Sequence, residues 1–241
     1  GFVVWGLVNT ESLSTSSGDA KGWVITHTGW FYVLSASFFV IFILWLAASK
    51  YGKVPPGQDG EKPEFRTISW IAMMFSAGMG IGLMFFAVAE PLAHYMGPPP
   101  GTVAAESDAA LETAMATTMF HWALHPWAIY SVVGVAIAYG TFRLGRKQLI
   151  SSAFTALLGR KRVEGPFGRL IDILAIFATL FGSAASLGLG ALQIGAGLEF
   201  NGWVDSVSDT VLVVIIVILA IGFIVSAVSG VARGIQWLSN I

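Results

Sequence analysis

An all-α integral membrane protein is the fold class that this sequence predicts, on three observations. Five apolar stretches are each long enough to cross a hydrocarbon core of about 30 Å, which takes about 20 helical residues. The 241 residues are 55% hydrophobic and 11% charged, with a mean hydropathy of +0.74; a soluble domain carries about 25% charged residues. The stretches are continuously apolar and do not alternate, which argues against a β-barrel. The net charge of -1 gives no case for nucleic-acid binding. Cysteine is absent, which excludes a disulfide framework and cysteine-ligated metal.

In chain order, residues 1–8 read as the tail of a membrane span, without the basic start or cleavage site of a signal peptide. The chain is therefore expected to be a piece of a longer protein. Residues 9–29 follow as an outer loop. The full spans are 30–49, 68–89, 116–140, 171–198 and 211–231. Between the third and fourth, the moderately apolar segment 148–158 is expected to form a short helix along the interface. Pro98-Pro99-Pro100-Gly101 cannot be helical and marks a loop. No internal repeat is visible.

Basic residues give the orientation. Lys50, Lys53, Lys62 and Arg66 fall between the first two full spans. Arg143, Arg146, Lys147, Arg160, Lys161, Arg162 and Arg169 fall between the third and fourth, and Arg233 follows the fifth. Only Lys21 lies on the other side. By the positive-inside rule, loops 50–66 and 141–170 are cytoplasmic. Segments 9–29, 94–113 and 199–209 are then outside.

The second span carries three glycines in five positions, Gly78-Met79-Gly80-Ile81-Gly82. Each costs a helix interior about 1 kcal/mol relative to alanine. Two readings stand. The run unwinds the helix and exposes backbone groups to a substrate or ion, as in secondary transporters. Alternatively, Gly78 and Gly82 form a GxxxG packing face.

The third span reads Phe120-His121-Trp122-Ala123-Leu124-His125-Pro126-Trp127-Ala128-Ile129-Tyr130. On a continuous helix Trp122, Trp127 and Tyr130 share one broad face. Pro126 cannot donate to the carbonyl of Trp122, so a kink is expected. Such a face can hold a quaternary ammonium by cation–π attraction; the other reading is an interfacial aromatic belt. Trp127 lies about 21 Å along the helix from Thr113, deeper than a belt sits.

In the fourth span Thr179, Ser183 and Ser186 line one face and offer oxygen ligands to a hard cation such as sodium. The alternative is back-bonding of each hydroxyl to its own helix. Glu90 and Asp172 lie at span ends, which suits a helix-end or gate role. His121 and His125 have the i, i+4 spacing of a metal pair, but no carboxylate or cysteine accompanies them in that span. No metal site is expected there. No catalytic constellation is present, so an enzyme is not expected.

These motifs resemble the betaine/choline/carnitine transporter family over nearly the whole chain. The glycine run followed by Glu90-Pro91 and the aromatic helix carry the resemblance. Further matches are Thr141-Phe142-Arg143 with Gly145-Arg146-Lys147, Gly188-Leu189-Gly190-Ala191-Leu192-Gln193, and Ser229-Gly230 with Gly234-Ile235-Gln236-Trp237-Leu238-Ser239-Asn240. The resemblance implies a LeuT-like inverted-repeat fold. Residues 1–65 would be the end of one membrane helix, an outer loop and a peripheral membrane helix. Residues 66–241 would be the first four helices of the first repeat, with the second repeat absent. It implies substrate contacts from Trp122, Trp127 and Tyr130 and from Gly78, Met79, Gly80 and Gly82. Thr179 and Ser183 match sodium-site positions, with the backbone of Ser76 and Met79 in a second such site.

Sodium-coupled members tend to read GMGIG, as this chain does; proton-coupled choline carriers tend to have aspartate at the position of Gly82. The implied function is sodium-symport uptake of a quaternary-ammonium osmolyte such as glycine betaine, at the plasma membrane and for osmotic protection. The expected partners are that substrate, sodium as coupling ion and the lipid bilayer, with no further cofactor and a homotrimeric assembly. Proton-coupled choline uptake and betaine/carnitine exchange are the alternatives within the class. A non-transporting scaffold or channel is the alternative outside it.

Overall fold

A computed structural model describes residues 2–78, 80–230 and 236. Met79, expected among both the substrate and the sodium contacts, lies outside the described residues, as does most of the 234–240 match. Every regular element among the described residues is helical. In chain order these are α1 (Phe2–Val8), α2 (Thr10–Ala48), α3 (Thr67–Gly78), α4 (Ile81–Met96), α5 (Asp108–Trp122), α6 (Leu124–Ala138), three single-turn helices α7 (Ile150–Ala153), α8 (Thr155–Leu158) and α9 (Arg160–Val163), then α10 (Pro166–Phe200) and α11 (Asp209–Ser229). A 3₁₀ turn, Lys50–Lys53, follows α2, and a π-helical turn, Tyr139–Arg143, follows α6.

Among the described residues, four helical stretches are long and apolar enough to cross a membrane: Thr10–Ala48, Asp108–Arg143, Pro166–Phe200 and Asp209–Ser229. They answer to the first, third, fourth and fifth expected spans. The second expected span, 68–89, is divided between α3 and α4. The expected outer loop 9–29 is corrected: it is helical, continuous with the span that follows. Asn9 caps the start by accepting a hydrogen bond from the Ser12 N–H at 2.9 Å. No proline interrupts residues 10–48. At about 1.5 Å per residue, α2 is about 58 Å long, nearly twice the hydrocarbon thickness. Its polar first half is the part that sequence composition assigned to a loop.

The chain divides into two compact units. One comprises Gly1–Val54 and Ala123–Gly134. Within it, the Trp5 indole N–H donates to Ser12 Oγ at 3.3 Å, and Ser37 Oγ pairs with His125 Nε2 at 3.4 Å. The other comprises Pro55–Trp122 and Val135–Ile241. Here α4 packs on α5, and α10 packs on α4, α7, α9 and α11. The α5 side of that packing is a ridge of small residues at four-residue spacing, Ala110, Ala114 and Thr118, all buried. Small side chains on one ridge let helix backbones approach closely.

Two loops of this unit are tied by side chains. Arg143 makes an ion pair with Asp59 at 2.9 Å and donates to the Gly57 carbonyl at 2.8 Å. Gln58 returns a hydrogen bond to the Phe142 carbonyl at 2.7 Å. The segment expected to be one interfacial helix, 148–158, is instead the single turns α7 and α8, with α9 following. Its anchor is Asp172 on α10, which accepts from both the N–H (2.9 Å) and the hydroxyl (2.8 Å) of buried Ser151. A single turn is too short to be stable alone, and this two-point contact supplies what helix propensity cannot.

Candidate functional site: a broken helix, an aromatic pair and a hydroxyl row

The glycine run is where the second span breaks. α3 ends at Gly78 and α4 begins at Ile81. Gly80 is the N-cap of α4, with extended backbone (φ -67°, ψ 172°) and no side-chain hydrogen bond to the helix start. The first N–H groups of α4 have no intrahelical acceptor, and the positive end of the helix dipole lies there. Of the two readings of this run, the interruption is the one observed.

Trp122 faces Gly82 in the first turn of α4. A Cβ at Gly82 would stand 3.8 Å from Trp122 Cη2. The Trp122 ring also stacks on Phe86, with centroids 5.9 Å apart. Its indole N–H donates to Glu90 Oε2 at 2.5 Å. His121 Nδ1 hydrogen-bonds to Glu90 Oε1, and His94 Nε2 lies 3.4 Å from the same oxygen. Glu90 thus ties α4 to α5 through His121 and Trp122, while His94 joins the same carboxylate from within α4. The ridge explains the meeting: Ala110, Ala114 and Thr118 continue at the same spacing to Trp122, so close packing below delivers Trp122 and His121 to Glu90. No carboxylate accompanies His121 within its own span, as expected, but the fold brings one from α4. The partner lies 31 residues away on another helix, where spacing within one span cannot reveal it. The four-residue recurrence of small residues on α5 was the available signal.

Trp127 and Tyr130, one turn apart on α6, pack against each other with ring centroids 5.6 Å apart at 35°. Both are exposed, Trp127 at 42% and Tyr130 at 68%. The helical-wheel argument that grouped Trp122 with them does not hold as made. It assumes one continuous helix, whereas α5 ends at Trp122 and α6 begins at Leu124, with Ala123 in a turn. Pro126 is the reason the ladder cannot close there, since it has no N–H to donate to the Trp122 carbonyl.

Thr179 and Ser183 lie on one face of α10 and line one shallow cavity with Asp172, Ala175, Ile176 and Phe223. Thr179 donates its hydroxyl proton to the Ala175 carbonyl at 2.9 Å. That back-bond uses the proton and leaves the oxygen lone pairs available to a cation. Ser76, in the last turn of α3, is exposed.

The family model described as "BCCT, betaine/carnitine/choline family transporter" matches residues 1–241. The chain is 46% identical over 240 residues to the betaine/ectoine transporter LcoP of Corynebacterium glutamicum, a match covering 100% of this chain and 38% of that protein. It is 46% identical over 239 residues to the glycine betaine transporter OpuD of Bacillus subtilis, covering 99% of this chain and 46% of that one. A probable glycine betaine transporter of Desulfitobacterium hafniense is 43% identical over 243 residues, covering 100% of this chain and 48% of its own length. The chain thus spans less than half the length of these relatives.

Proposed function

The chain belongs to the betaine/carnitine/choline transporter family, and we propose that it supplies part of a LeuT-like carrier importing a quaternary-ammonium osmolyte such as glycine betaine by sodium symport. The observation that carries this reading is the interrupted helix α3–α4. A zwitterionic betaine has a carboxylate and a quaternary ammonium. The uncapped N–H groups at Gly80 and the start of α4 suit the carboxylate. Aromatic faces suit the ammonium, and Trp122, Trp127 and Tyr130 provide them. Gly78 and Gly82 keep the backbone around the break free of side-chain bulk. Two of the relatives are named for glycine betaine and one for betaine and ectoine, which supports this substrate class.

Sodium is the proposed coupling ion, held by the hydroxyls of Thr179 and Ser183, with a second site drawing on the backbone at Ser76. The GMGIG reading supports sodium over protons as coupling ion, because no carboxylate stands at position 82. The proposed carrier is a homotrimer of the plasma membrane with loops 50–66 and 141–170 in the cytoplasm. The charge asymmetry supports that orientation. So do the Arg143–Asp59 and Gln58–Phe142 contacts, which hold the two loops to one side.

The test is uptake of labelled glycine betaine and choline by cells making the full-length protein, with sodium varied at fixed membrane potential and pH. Betaine uptake should rise with sodium. Trp127→Ala or Tyr130→Ala should raise the half-saturating betaine concentration about tenfold, from about 1.5 kcal/mol of lost cation–π attraction. Thr179→Ala should instead raise the half-activating sodium concentration, and Ser183→Thr should be near neutral. Uptake indifferent to sodium but driven by a proton gradient would favour the proton-coupled choline reading. Exchange without any ion gradient would favour betaine/carnitine antiport.

A further inference from the structure

We propose that Glu90, His94 and His121 form a binding site for a divalent transition-metal ion, best suited to zinc, that clamps α4 to α5. A ligating atom from each of the three residues lies within 4.8 Å of the others. Glu90 and His94 are one turn apart on α4 and His121 comes from α5, so the set is drawn from two packed helices. The rings of His94 and His121 meet edge to face with centroids 5.6 Å apart. Zinc takes imidazole nitrogen and carboxylate oxygen at about 2.0–2.2 Å in a tetrahedron, which sets its donor atoms about 3.3–3.6 Å apart. His94 Nε2 and Glu90 Oε1 already stand at 3.4 Å. His121 Nδ1 reaches the same carboxylate oxygen from α5, so one oxygen faces an imidazole from each helix.

A second feature prepares the carboxylate. The Trp122 indole N–H occupies Glu90 Oε2 and leaves Oε1 turned to the two imidazoles. Outer-sphere donors of this kind fix the orientation of metal-ligating carboxylates. Water would fill the fourth position, since the His121 side chain is 47% exposed while that of Glu90 is 13% exposed. Two imidazoles and one carboxylate favour zinc, cobalt or nickel over sodium, magnesium or calcium, which prefer oxygen alone. This donor set shares no residue with the Thr179 and Ser183 hydroxyls proposed for sodium.

The experiment titrates zinc chloride into metal-stripped, purified full-length protein by isothermal calorimetry, and repeats the titration with cobalt(II) while recording its visible spectrum. One equivalent per chain and a tetrahedral cobalt spectrum are expected. His94→Asn and His121→Asn should each weaken zinc at least about tenfold. Trp122→Phe, which keeps the ring and removes the N–H, should weaken it about tenfold through the carboxylate alone. His125→Asn should change nothing. Absence of a one-equivalent event, an octahedral cobalt spectrum, undiminished binding in both Asn variants, or loss of binding in His125→Asn would each overturn the site. If the Asn variants fail to fold, the cobalt spectrum of the unmutated protein and the Trp122→Phe titration still decide.

Discussion

Glycines punctuate both the second span and α10, and the two regions respond differently. At 78–82 the helix breaks, and Gly80 takes an extended conformation between α3 and α4. In α10 six glycines are carried through 35 residues without interruption. The difference lies in density and in what each glycine touches. Three glycines in five residues concentrate about 3 kcal/mol of lost helix propensity in little more than one turn. In α10 the glycines are spread out, and some are used for close packing. Gly190 and Gly195 are buried, and a Cβ at Gly195 would stand 2.9 Å from Val207 Cγ1 and 3.4 Å from Leu212 Cδ2. The unwinding role and the close-packing role, both plausible for any membrane glycine, are thus realised in separate helices of one chain.

The largest effect is expected from removing this contrast at its first member. The backbone angles of Gly80 are open to any residue, and nothing lies within 4 Å of a Cβ there, so alanine causes no clash. It does favour helix. The double substitution Gly78→Ala/Gly80→Ala should stabilise a continuous α3–α4 helix by about 2 kcal/mol, which is about 30-fold in population. Betaine uptake by the full-length protein should fall by a comparable factor while surface expression is retained. Unchanged uptake would mean that the break is not needed for transport.

The second member gives a smaller effect with a different readout. Gly195→Leu forces a side chain against Val207 and Leu212, where α10 meets α11. Overpacking of this kind costs about 1–3 kcal/mol, and the gain in helix propensity returns about 1 kcal/mol. A net loss of stability is expected, read as a lower thermal midpoint of the purified protein. A midpoint unchanged or raised would show that Gly195 is not a packing glycine.

How much of this was legible beforehand depends on the range of the signal. The break was legible as one of two readings of residues 78–82, because glycine density is a local property while what packs against the run is not. The kink at Pro126 was legible, since Pro126 and the carbonyl it cannot serve are four residues apart, though the end of α5 at Trp122 went beyond a kink. The helical character of residues 10–29 was not. Polar composition argues for solvent, and a helix that projects past the bilayer satisfies that as well as a loop does. The Glu90–His121–Trp122 cluster left only one trace, the four-residue spacing of Ala110, Ala114 and Thr118, because its members are 31 and 32 residues apart. The pairing of Asp172 with Ser151 was hidden likewise, because single-turn helices have no periodicity long enough to read.

The smallest effect should have the opposite sign and comes from α10 again. Gly182 lies between Thr179 and Ser183 in the middle of the helix, with ordinary helical surroundings and nothing within 4 Å of a Cβ. It has neither the crowding of Gly195 nor the neighbours that break the run at 78–82. Alanine there should therefore cost no packing and should reduce the freedom of the unfolded chain, which stabilises by about 0.4–1 kcal/mol. A thermal midpoint raised by a degree or two is the expected result, with the half-activating sodium concentration unchanged because both hydroxyls remain. A lowered midpoint would mean that another surface covers Gly182 in the full-length protein. It would then be a close-packing glycine like Gly195, and contact with neighbours, more than glycine spacing, would be what separates the two regions.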